Sequence, residues 1–261
     1  MNMFFRIKRL FQEHKIIFSL ALRNIKIKYK NTWLGFLWVL LQPLCTIGIL
    51  YFVFSQVIRL DIEMFPLFLC AGVLPWTFFA SALTEGTASI VSNSNLVLKV
   101  NFPREILPLT YCVSNVFDFV FALIILFIVL SGFAVIIPVS VLIWLIPLIC
   151  IQFIFVFGLS MFLSVLHVFY KDIGHLLSVV LMFWFYLTPI FYSIEHVPEK
   201  FRQWYQYNPM THFIGAYRSI LFYAEVPSGI LFVKISVISV TVFIAAVLFF
   251  ISTEKQVAKE L

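Results

Sequence analysis

Asp118 is the residue whose position most directly suggests chemistry, because it is the only charged residue between Glu105 and Lys171. A carboxylate inside so long an apolar stretch is costly in a membrane and is a functional candidate by default. The structural alternative is that Asp118 is protonated, or bonded to Asn115, and serves packing. Glu85 lies in the sequence SALTEGTAS, whose small polar residues favour helix packing or a position at the membrane interface. One buried acid without a series of acids or histidines makes a poor proton relay, so an ion-coupled carrier has little support.

Several kinds of catalytic site are absent from the sequence. None of the nine glycines begins a GxxxxGK[ST] phosphate loop, and there is no GxGxxG, HExxH or CxxC motif. The five histidines are scattered, and the four cysteines lie in apolar runs where a thiol behaves as a small hydrophobic group. His167 and His175 flank the junction of two predicted spans, where an interfacial role is favoured over metal binding. We therefore expect no catalytic, cofactor-binding or metal-binding residues.

The elements that carry these residues must be membrane spans. Of the 261 residues, 62% are hydrophobic and 11% charged, which excludes a soluble domain. The net charge of +6 could suggest nucleic acid, but eight of the 18 basic residues fall in the first 30 positions. That distribution indicates a cytoplasmic flank that contacts anionic lipid. We expect no nucleic-acid partner.

The charge-free runs predict an all-α integral membrane protein with six transmembrane helices, since about 20 apolar residues cross a bilayer. The predicted spans are 31–58, 64–84, about 106–131, about 140–168, 173–194 and 235–253. The whole chain, 1–261, then forms a single transmembrane domain. Its parts are a cytoplasmic interface region at 1–30, spans one to five within 31–193, an external segment at 194–228, span six within 229–253 and a cytoplasmic tail at 254–261.

An even number of spans places both termini on the same side of the membrane. With the termini in the cytoplasm, 13 of the 18 basic residues are inside and five outside, as the positive-inside rule favours. Residues 4–15 alternate apolar and charged positions at helical spacing, which predicts an amphipathic N-terminal helix in the inner interface. Residues 194–228 are too long for a tight turn. They predict a re-entrant helical hairpin interrupted at Asn208-Pro209.

Aromatic clusters could provide stacking surfaces for sugar rings. Trp38 lies near the start of span one, and Trp184, Thr188 and Phe191 share a helical face of span five. We predict that these residues, with Tyr51, line a translocation path. The alternative for each aromatic residue is a membrane-interface belt or packing against lipid.

Three blocks of sequence resemble the permease subunits of polysaccharide-exporting ABC transporters, the family that exports O-antigen, capsule and teichoic acid chains. The blocks are YKNTWLGFLWVLLQPL (29–44), AGVLPWTFFASALTEGTASIVSNSNLVLKVNFPREILPL (71–109) and VFYKDIGHLLSVVLMFWFYLTPIFY (168–192). The last continues into VPEKF and NPMTHFIGAYRSIL, so the resemblance covers most of the chain.

This resemblance implies a multi-pass protein of a bacterial cytoplasmic (inner) membrane that works as a homodimer with two cytoplasmic ABC ATPase subunits. ATP and Mg would be bound by those partners, and the substrate would be a lipid-linked polysaccharide. The resemblance also implies two loops that couple to the ATPase, comprising Asn101, Phe102, Pro103, Arg104 and Glu105, and Tyr170, Lys171 and Asp172. Lys171 stands where the family often has Arg, which keeps the charge but loses the guanidinium fork. Ordinary positive-inside anchoring is the alternative for both loops.

Two other functions remain open from the sequence. A permease of the same architecture could export a smaller lipid or a drug. A membrane enzyme that acts on polyprenyl-linked sugars is disfavoured, because the sequence has no acid pair and no acidic metal-binding motif.

Overall fold

The computed structural model describes residues 13–59, 62–99, 103–132 and 137–260. Regular structure in these ranges is entirely helical. The helices are α1 (His14–Tyr29), α2 (Trp38–Tyr51), α3 (Phe65–Ser92), α4 (Ser94–Lys99), α5 (Ile106–Gly132), α6 (Val139–Leu142), α7 (Leu145–Phe169), α8 (Ile173–Tyr186), α9 (Glu199–Tyr205), α10 (Pro209–Leu221) and α11 (Gly229–Glu260). A 3₁₀ turn, Gly35–Leu37, precedes α2, and a π-helical segment, Phe52–Val57, extends it.

Five helical stretches in the described part of the chain are long and apolar enough to cross a membrane. They are Gly35–Val57, Phe65–Ser92, Ile106–Ile128, Val139–Phe169 and Gly229–Thr253. These correspond to predicted spans one to four and six. Helix α5 ends at Gly132 and α6 begins at Val139, close to the predicted bounds of spans three and four. The all-helical membrane class is therefore confirmed.

The segment predicted as span five, 173–194, is a shorter helix than the sequence suggested. Helix α8 has 14 residues, about 21 Å at 1.5 Å per residue, against about 30 Å of bilayer hydrocarbon. It ends at Tyr186, shortly before Pro189. Proline lacks a backbone N–H and disfavours helical geometry in the residue before it, Thr188. The sequence estimate counted only uncharged residues and overlooked this stop signal.

Helix α3 is the centre of the bundle. Most of its residues are buried, and it packs against α2, α5, α7 and α10. Helices α7 and α11 pack closely along their length, and at Gly158 a Cβ atom would lie 2.9 Å from Cα of Phe243. At Gly86 a Cβ atom would lie 2.7 Å from Oγ of Ser160. Small residues thus allow the close helix contacts that are common in membrane proteins.

The segment 194–228, which we call the external segment after its predicted position, contains two helices that meet at the predicted break. Helix α9 ends at Tyr205, and α10 begins at Pro209 with Asn208 as its N-cap. The Asn208 side chain accepts a hydrogen bond from the backbone N–H of Met210. Proline in the first turn of α10 costs no helical hydrogen bond. The amphipathic helix predicted at 4–15 lies almost entirely outside the described residues.

Candidate functional site

Helix α1 is attached to α3 and α5 through one polar face. Ala21, Asn24 and Lys28 lie at spacings of three and four residues and so share that face. The Nδ2 atom of Asn24 lies 3.4 Å from Oγ1 of Thr110, to which it donates. Earlier in the same helix, Arg23 donates to Oδ1 of Asn93 at 2.8 Å. These contacts hold the middle of α1 against the end of α3 and the first turns of α5.

Five side chains from α1, α3 and α5 form what we call the Lys28 cluster: Lys28, Tyr29, Glu85, Asn115 and Asp118. The ammonium of Lys28 lies 2.9 Å from Oε1 of Glu85 and 3.0 Å from Oδ2 of Asp118. Tyr29 donates its hydroxyl hydrogen to Oδ2 of Asp118 at 2.9 Å, and Asn115 donates to Oε2 of Glu85 at 2.6 Å. One cation therefore bridges two carboxylates.

Charge within this cluster is only partly shielded from solvent. The side chains of Lys28, Glu85 and Asp118 are 33%, 29% and 12% exposed. Burial alone would lower the pKa of Lys28, but attraction to Glu85 and Asp118 outweighs it and raises the pKa above its ordinary value. Lys28 is therefore positively charged at neutral pH. The formal charge of the cluster is negative, since it holds two carboxylates and one ammonium.

The structure gives Asp118 partners that the sequence did not suggest, and its role stays a prediction. Asp118 is not a solitary acid, since it shares Lys28 with Glu85, and its hydrogen-bond donors are Lys28 and Tyr29. Asn115 binds Glu85 instead of Asp118. Sequence reasoning missed Lys28 because it stands in a basic flank and was counted only as an orientation signal. The polar sequence around Glu85 was the one available hint that two acids could meet.

A cavity of about 340 Å³ lies beside the Lys28 cluster, between the start of α2 and helices α3 and α5. We call it the Gln42 cavity. The side chains that matter for its chemistry are those of Thr32, Trp38, Gln42, Thr77, Ser81 and Asp118. Trp38, predicted on the translocation path, thus borders a real cavity together with the intramembrane acid. Tyr51 lies further along, at the end of α2, with its ring 6.3 Å from that of Phe65.

The predicted stripe does not form one helical face, because α8 ends at Tyr186, and Thr188 and Phe191 lie beyond it. Thr188 and Phe191 are buried, whereas Phe183 and Leu187 are about 60% exposed. Trp184 is half-buried, and its ring packs edge-on against Phe79. The assignment of Trp184, Thr188 and Phe191 to a translocation path stays a prediction.

Asn208 connects Trp184 and Thr188 to the external segment, a role that the sequence did not reveal. Its Oδ1 atom accepts from the indole Nε1 of Trp184 at 2.8 Å, and its Nδ2 atom donates to Oγ1 of Thr188 at 2.9 Å. A second donation reaches the backbone oxygen of Leu187 at 3.3 Å. We call this set the Asn208 junction. It fixes the start of α10 against the point where α8 ends.

Arg218 makes a second connection between α10 and the same region. It donates from Nη2 to the backbone oxygen of Ile190 at 2.6 Å, and its guanidinium carbon lies 3.5 Å from the centre of the Phe68 ring. A cation over an aromatic ring is favourable when little water competes. This contact could not be predicted from the sequence, where Arg218 is one of the five basic residues assigned to the outside.

The two predicted coupling loops differ in how far the structure describes them. Asn101 and Phe102 lie outside the described residues. Pro103 and Arg104 are partly exposed, whereas Glu105 is buried and its backbone oxygen accepts in the first turn of α5. Tyr170, Lys171 and Asp172 form an exposed connection between α7 and α8. Coupling through either loop stays a prediction.

No catalytic or metal centre emerges from these positions. Within the described residues there is no group of three or more His, Cys, Asp or Glu side chains that could hold a metal ion. The polar groups brought together at the Lys28 cluster and the Gln42 cavity can bind and orient a polar molecule.

Comparison with known proteins supplies the family. A family model described as "ABC-2 type transporter" matches residues 16–222 of the 261. An O-antigen export system permease protein RfbA of Klebsiella pneumoniae is 34% identical over 229 residues, 86% of this chain and 85% of that protein. The protein of the same name from Myxococcus xanthus is 28% identical over 98% of both chains. The polysialic acid transport protein KpsM of Escherichia coli is 22% identical over 88% of this chain and 91% of that protein. This chain belongs to the ABC-2 type transporter membrane family.

Proposed function

We propose that this chain is the transmembrane subunit of an ATP-driven exporter that moves a lipid-linked polysaccharide outward across the cytoplasmic membrane. The observation that carries the proposal is the set of relatives. Those named for O-antigen export and for polysialic acid transport are similar to this chain over 76% to 98% of its length. The cargo would be a polymer of the O-antigen, capsule or teichoic acid type.

ATP chemistry in this proposal belongs to two separate cytoplasmic ATPase subunits. The chain has no phosphate-binding loop, so ATP and Mg would be held by those partners. The partly exposed Arg104 and the exposed connection at Tyr170–Asp172 are suited to contact them. Both termini would be cytoplasmic, in keeping with the distribution of basic residues.

A homodimeric channel is part of the same proposal. The membrane-spanning stretch that contains α2 is only 11% buried within the chain, and α8 exposes Val179, Phe183, Tyr186 and Leu187. Two apolar surfaces of this kind are suited to a second copy and to lipid. Between two copies, aromatic walls would offer a polymer flat surfaces that bind weakly enough to release it at each step.

Depletion of this chain in its native host tests the function. We expect surface polysaccharide to disappear while lipid-linked polymer accumulates on the inner side of the membrane, with rescue by the intact gene. Surface polymer is measured by immunoblot of intact cells, and the lipid-linked fraction by extraction and mass spectrometry. Unchanged surface polymer would refute the proposal. Loss of the polymer from both fractions would favour an enzyme acting on polyprenyl-linked sugars, and a changed lipid or drug content alone would favour a smaller cargo.

Coupling through the loop that contains Arg104 is tested by charge reversal. We expect Arg104→Glu to insert normally but to reduce polymer export at least tenfold while the ATPase partner still hydrolyses ATP, because a basic contact becomes repulsive. Arg104→Lys, which keeps the charge, is the matched control and retains most of the export. Normal export by Arg104→Glu would show that the loop is only a charge anchor.

A further inference from the structure

The Gln42 cavity has several polar side chains among its apolar walls, in a region of apolar helices. Gln42, Ser81 and Asp118 all belong to helical stretches that are long and apolar enough to cross a membrane. Polar side chains at such positions are costly unless they meet a partner or water. A cavity with both polar and apolar walls suits a molecule that has hydrogen-bonding groups as well as an apolar face.

Hydrogen-bonding capacity in this cavity is left over. In the part of the chain that the structure describes, the side chains of Gln42 and Ser81 line the cavity and make no hydrogen bond, and the carboxylate of Asp118 lines it as well. Thr77 donates its hydroxyl hydrogen to the backbone oxygen of Val73 and keeps its oxygen available as an acceptor. The walls thus offer an amide, two hydroxyl oxygens and a carboxylate, a mixture of donors and acceptors.

An aromatic surface completes the cavity. The side chain of Trp38 is 45% exposed, and the rings of Phe78 and Phe119, stacked 5.3 Å apart, form part of the opposite wall. A flat indole face next to amide, hydroxyl and carboxylate groups can contact the C–H face of a sugar ring while its hydroxyls are hydrogen-bonded. The volume lies near the lower end of the range for small-molecule sites, about 300–1,000 Å³. It is of a size for one sugar residue and not for a length of polymer.

Charge disfavours the other polar candidate in a lipid-linked glycan, the pyrophosphate. The charged side chains that line the cavity are Lys28 and Asp118, and the ammonium of Lys28 is already shared by two carboxylates. An anion would therefore compete with those carboxylates for the cation. A neutral sugar ring, by contrast, can donate its hydroxyl hydrogens to oxygen atoms of the wall that have no other donor.

We propose that the Gln42 cavity is a sugar-binding subsite, which holds one neutral sugar residue of the cargo between Trp38 and the polar side chains of Gln42, Ser81 and Asp118. This inference rests on the proposed function for the identity of the cargo. The subsite would hold a sugar residue beside the helix that links the N-terminal region to spans two and three.

Binding is tested on the purified full chain in nanodiscs, without the ATPase. The probes are the methyl glycosides of glucose, galactose, mannose and N-acetylglucosamine, with ethanolamine and inorganic pyrophosphate as competing chemistries. Saturation-transfer NMR reports which probe contacts the protein. We expect transfer to at least one glycoside and none above background to ethanolamine or pyrophosphate.

Two variants on one helix localise the signal. Ser81→Leu fills the cavity and is expected to reduce saturation transfer at least fivefold, whereas Thr84→Leu, exposed on the same helix, leaves it unchanged. Thr77→Val keeps the side-chain shape and removes the hydroxyl, and we expect it to weaken transfer at least twofold. It provides the test if size-exclusion chromatography shows that Ser81→Leu does not fold.

The outcomes separate this inference from the proposed function. Absence of transfer to every glycoside, equal transfer in Ser81→Leu and Thr84→Leu, or transfer only to ethanolamine or pyrophosphate would overturn the subsite. Depletion would still establish export of the polymer in each of those cases. The reverse outcome is also distinguishable. If Ser81→Leu abolishes glycoside binding by the purified chain, but depletion of the chain in its host leaves the surface polymer unchanged, the subsite is retained and the exporter function is refuted.

Discussion

Two regions of the molecule attach a non-spanning helix to the bundle in different ways. The Lys28 cluster attaches α1 to α3 and α5 through an ammonium and two carboxylates, whose side chains are 33%, 29% and 12% exposed. The Asn208 junction attaches α10 to the end of α8 through neutral groups. Its amide uses both donor hydrogens and accepts two hydrogen bonds at Oδ1, so its hydrogen-bonding capacity is filled.

The difference concerns what each region can still bind. The Asn208 junction has no capacity left on its amide, and the Thr188 side chain it contacts is buried. In the Lys28 cluster Oδ1 of Asp118 accepts no hydrogen bond from the described residues, and the Gln42 cavity adjoins it. A neutral, satisfied network defines a rigid geometry, whereas a charged cluster beside a cavity can exchange partners. We therefore expect stability to depend on side-chain shape at the Asn208 junction, and on charge and salt at the Lys28 cluster.

The largest effect on stability is expected at the Asn208 junction. Asn208→Ala removes the N-cap of α10, worth about 1 kcal/mol, and leaves the Trp184 indole N–H without its acceptor, at about 1–3 kcal/mol. Together the free energy of unfolding should fall by about 2–4 kcal/mol. Equilibrium unfolding in mixed micelles measures this quantity. Gln206→Ala, an exposed neighbour, is the control, and an equal loss in both variants would contradict the assigned role of Asn208.

The next effect is expected at Lys28. Lys28→Met leaves two carboxylates together without their cation, and partial exposure limits the cost to about 1–3 kcal/mol. The triple variant Lys28→Met, Glu85→Gln, Asp118→Asn removes all three charges and should recover most of that loss. The same unfolding measurement compares both with Lys26→Met, an exposed lysine of the same helix. If the triple variant is no more stable than the single one, repulsion between the carboxylates is not the cause.

Salt provides a smaller and reversible way to separate the two regions. Raising the ionic strength from 0.01 M to 1 M shortens the screening length from about 30 Å to about 3 Å. The stability difference between the wild type and Lys28→Met should then shrink by a few tenths of a kcal/mol up to about 1 kcal/mol. The difference between the wild type and Asn208→Ala should stay constant. A salt-independent Lys28→Met effect would mean that packing of the lysine stem, and not its charge, holds α1 in place.

Much of the fold could be read from charge-free runs, because the membrane demands them. Spans one to four and six follow from apolar length, and the break in the external segment follows from Asn208-Pro209. The short α8 was also marked in the sequence by Pro189, which an estimate based on charge alone ignored. The continuation of α3 to Ser92 was not foreseen, since a helix that leaves the apolar region no longer needs an apolar sequence.

The candidate site was less accessible, because its members are far apart in the sequence. Lys28 and Asp118 are separated by 90 positions, and their contact depends on how α1 crosses the bundle. Asp118 was recognised because an acid inside a span is conspicuous. Lys28 was not, since a lysine in a basic flank needs no partner. Buried acids are thus visible from the sequence, whereas the cations that pair with them emerge only from packing.

Among the substitutions, the smallest effect on stability is expected from Trp184→Phe, and it sharpens the comparison within the Asn208 junction. The substitution removes the indole N–H that Asn208 accepts but keeps an aromatic ring against Phe79. Oδ1 of Asn208 still accepts from the backbone N–H of Met210, so no buried group is left wholly unsatisfied. The free energy of unfolding should fall by about 1 kcal/mol, the net value of one hydrogen bond. Phe183→Leu, on the exposed side of α8, is the control and should change stability by less than about 0.5 kcal/mol. A loss as large as that of Asn208→Ala would mean that the indole, and not the amide, organises the junction. Polymer export by Trp184→Phe and Trp184→Ala tests whether Trp184 lines the translocation path. If a flat ring is enough for the polymer to slide past, Trp184→Phe should export normally and Trp184→Ala should export less.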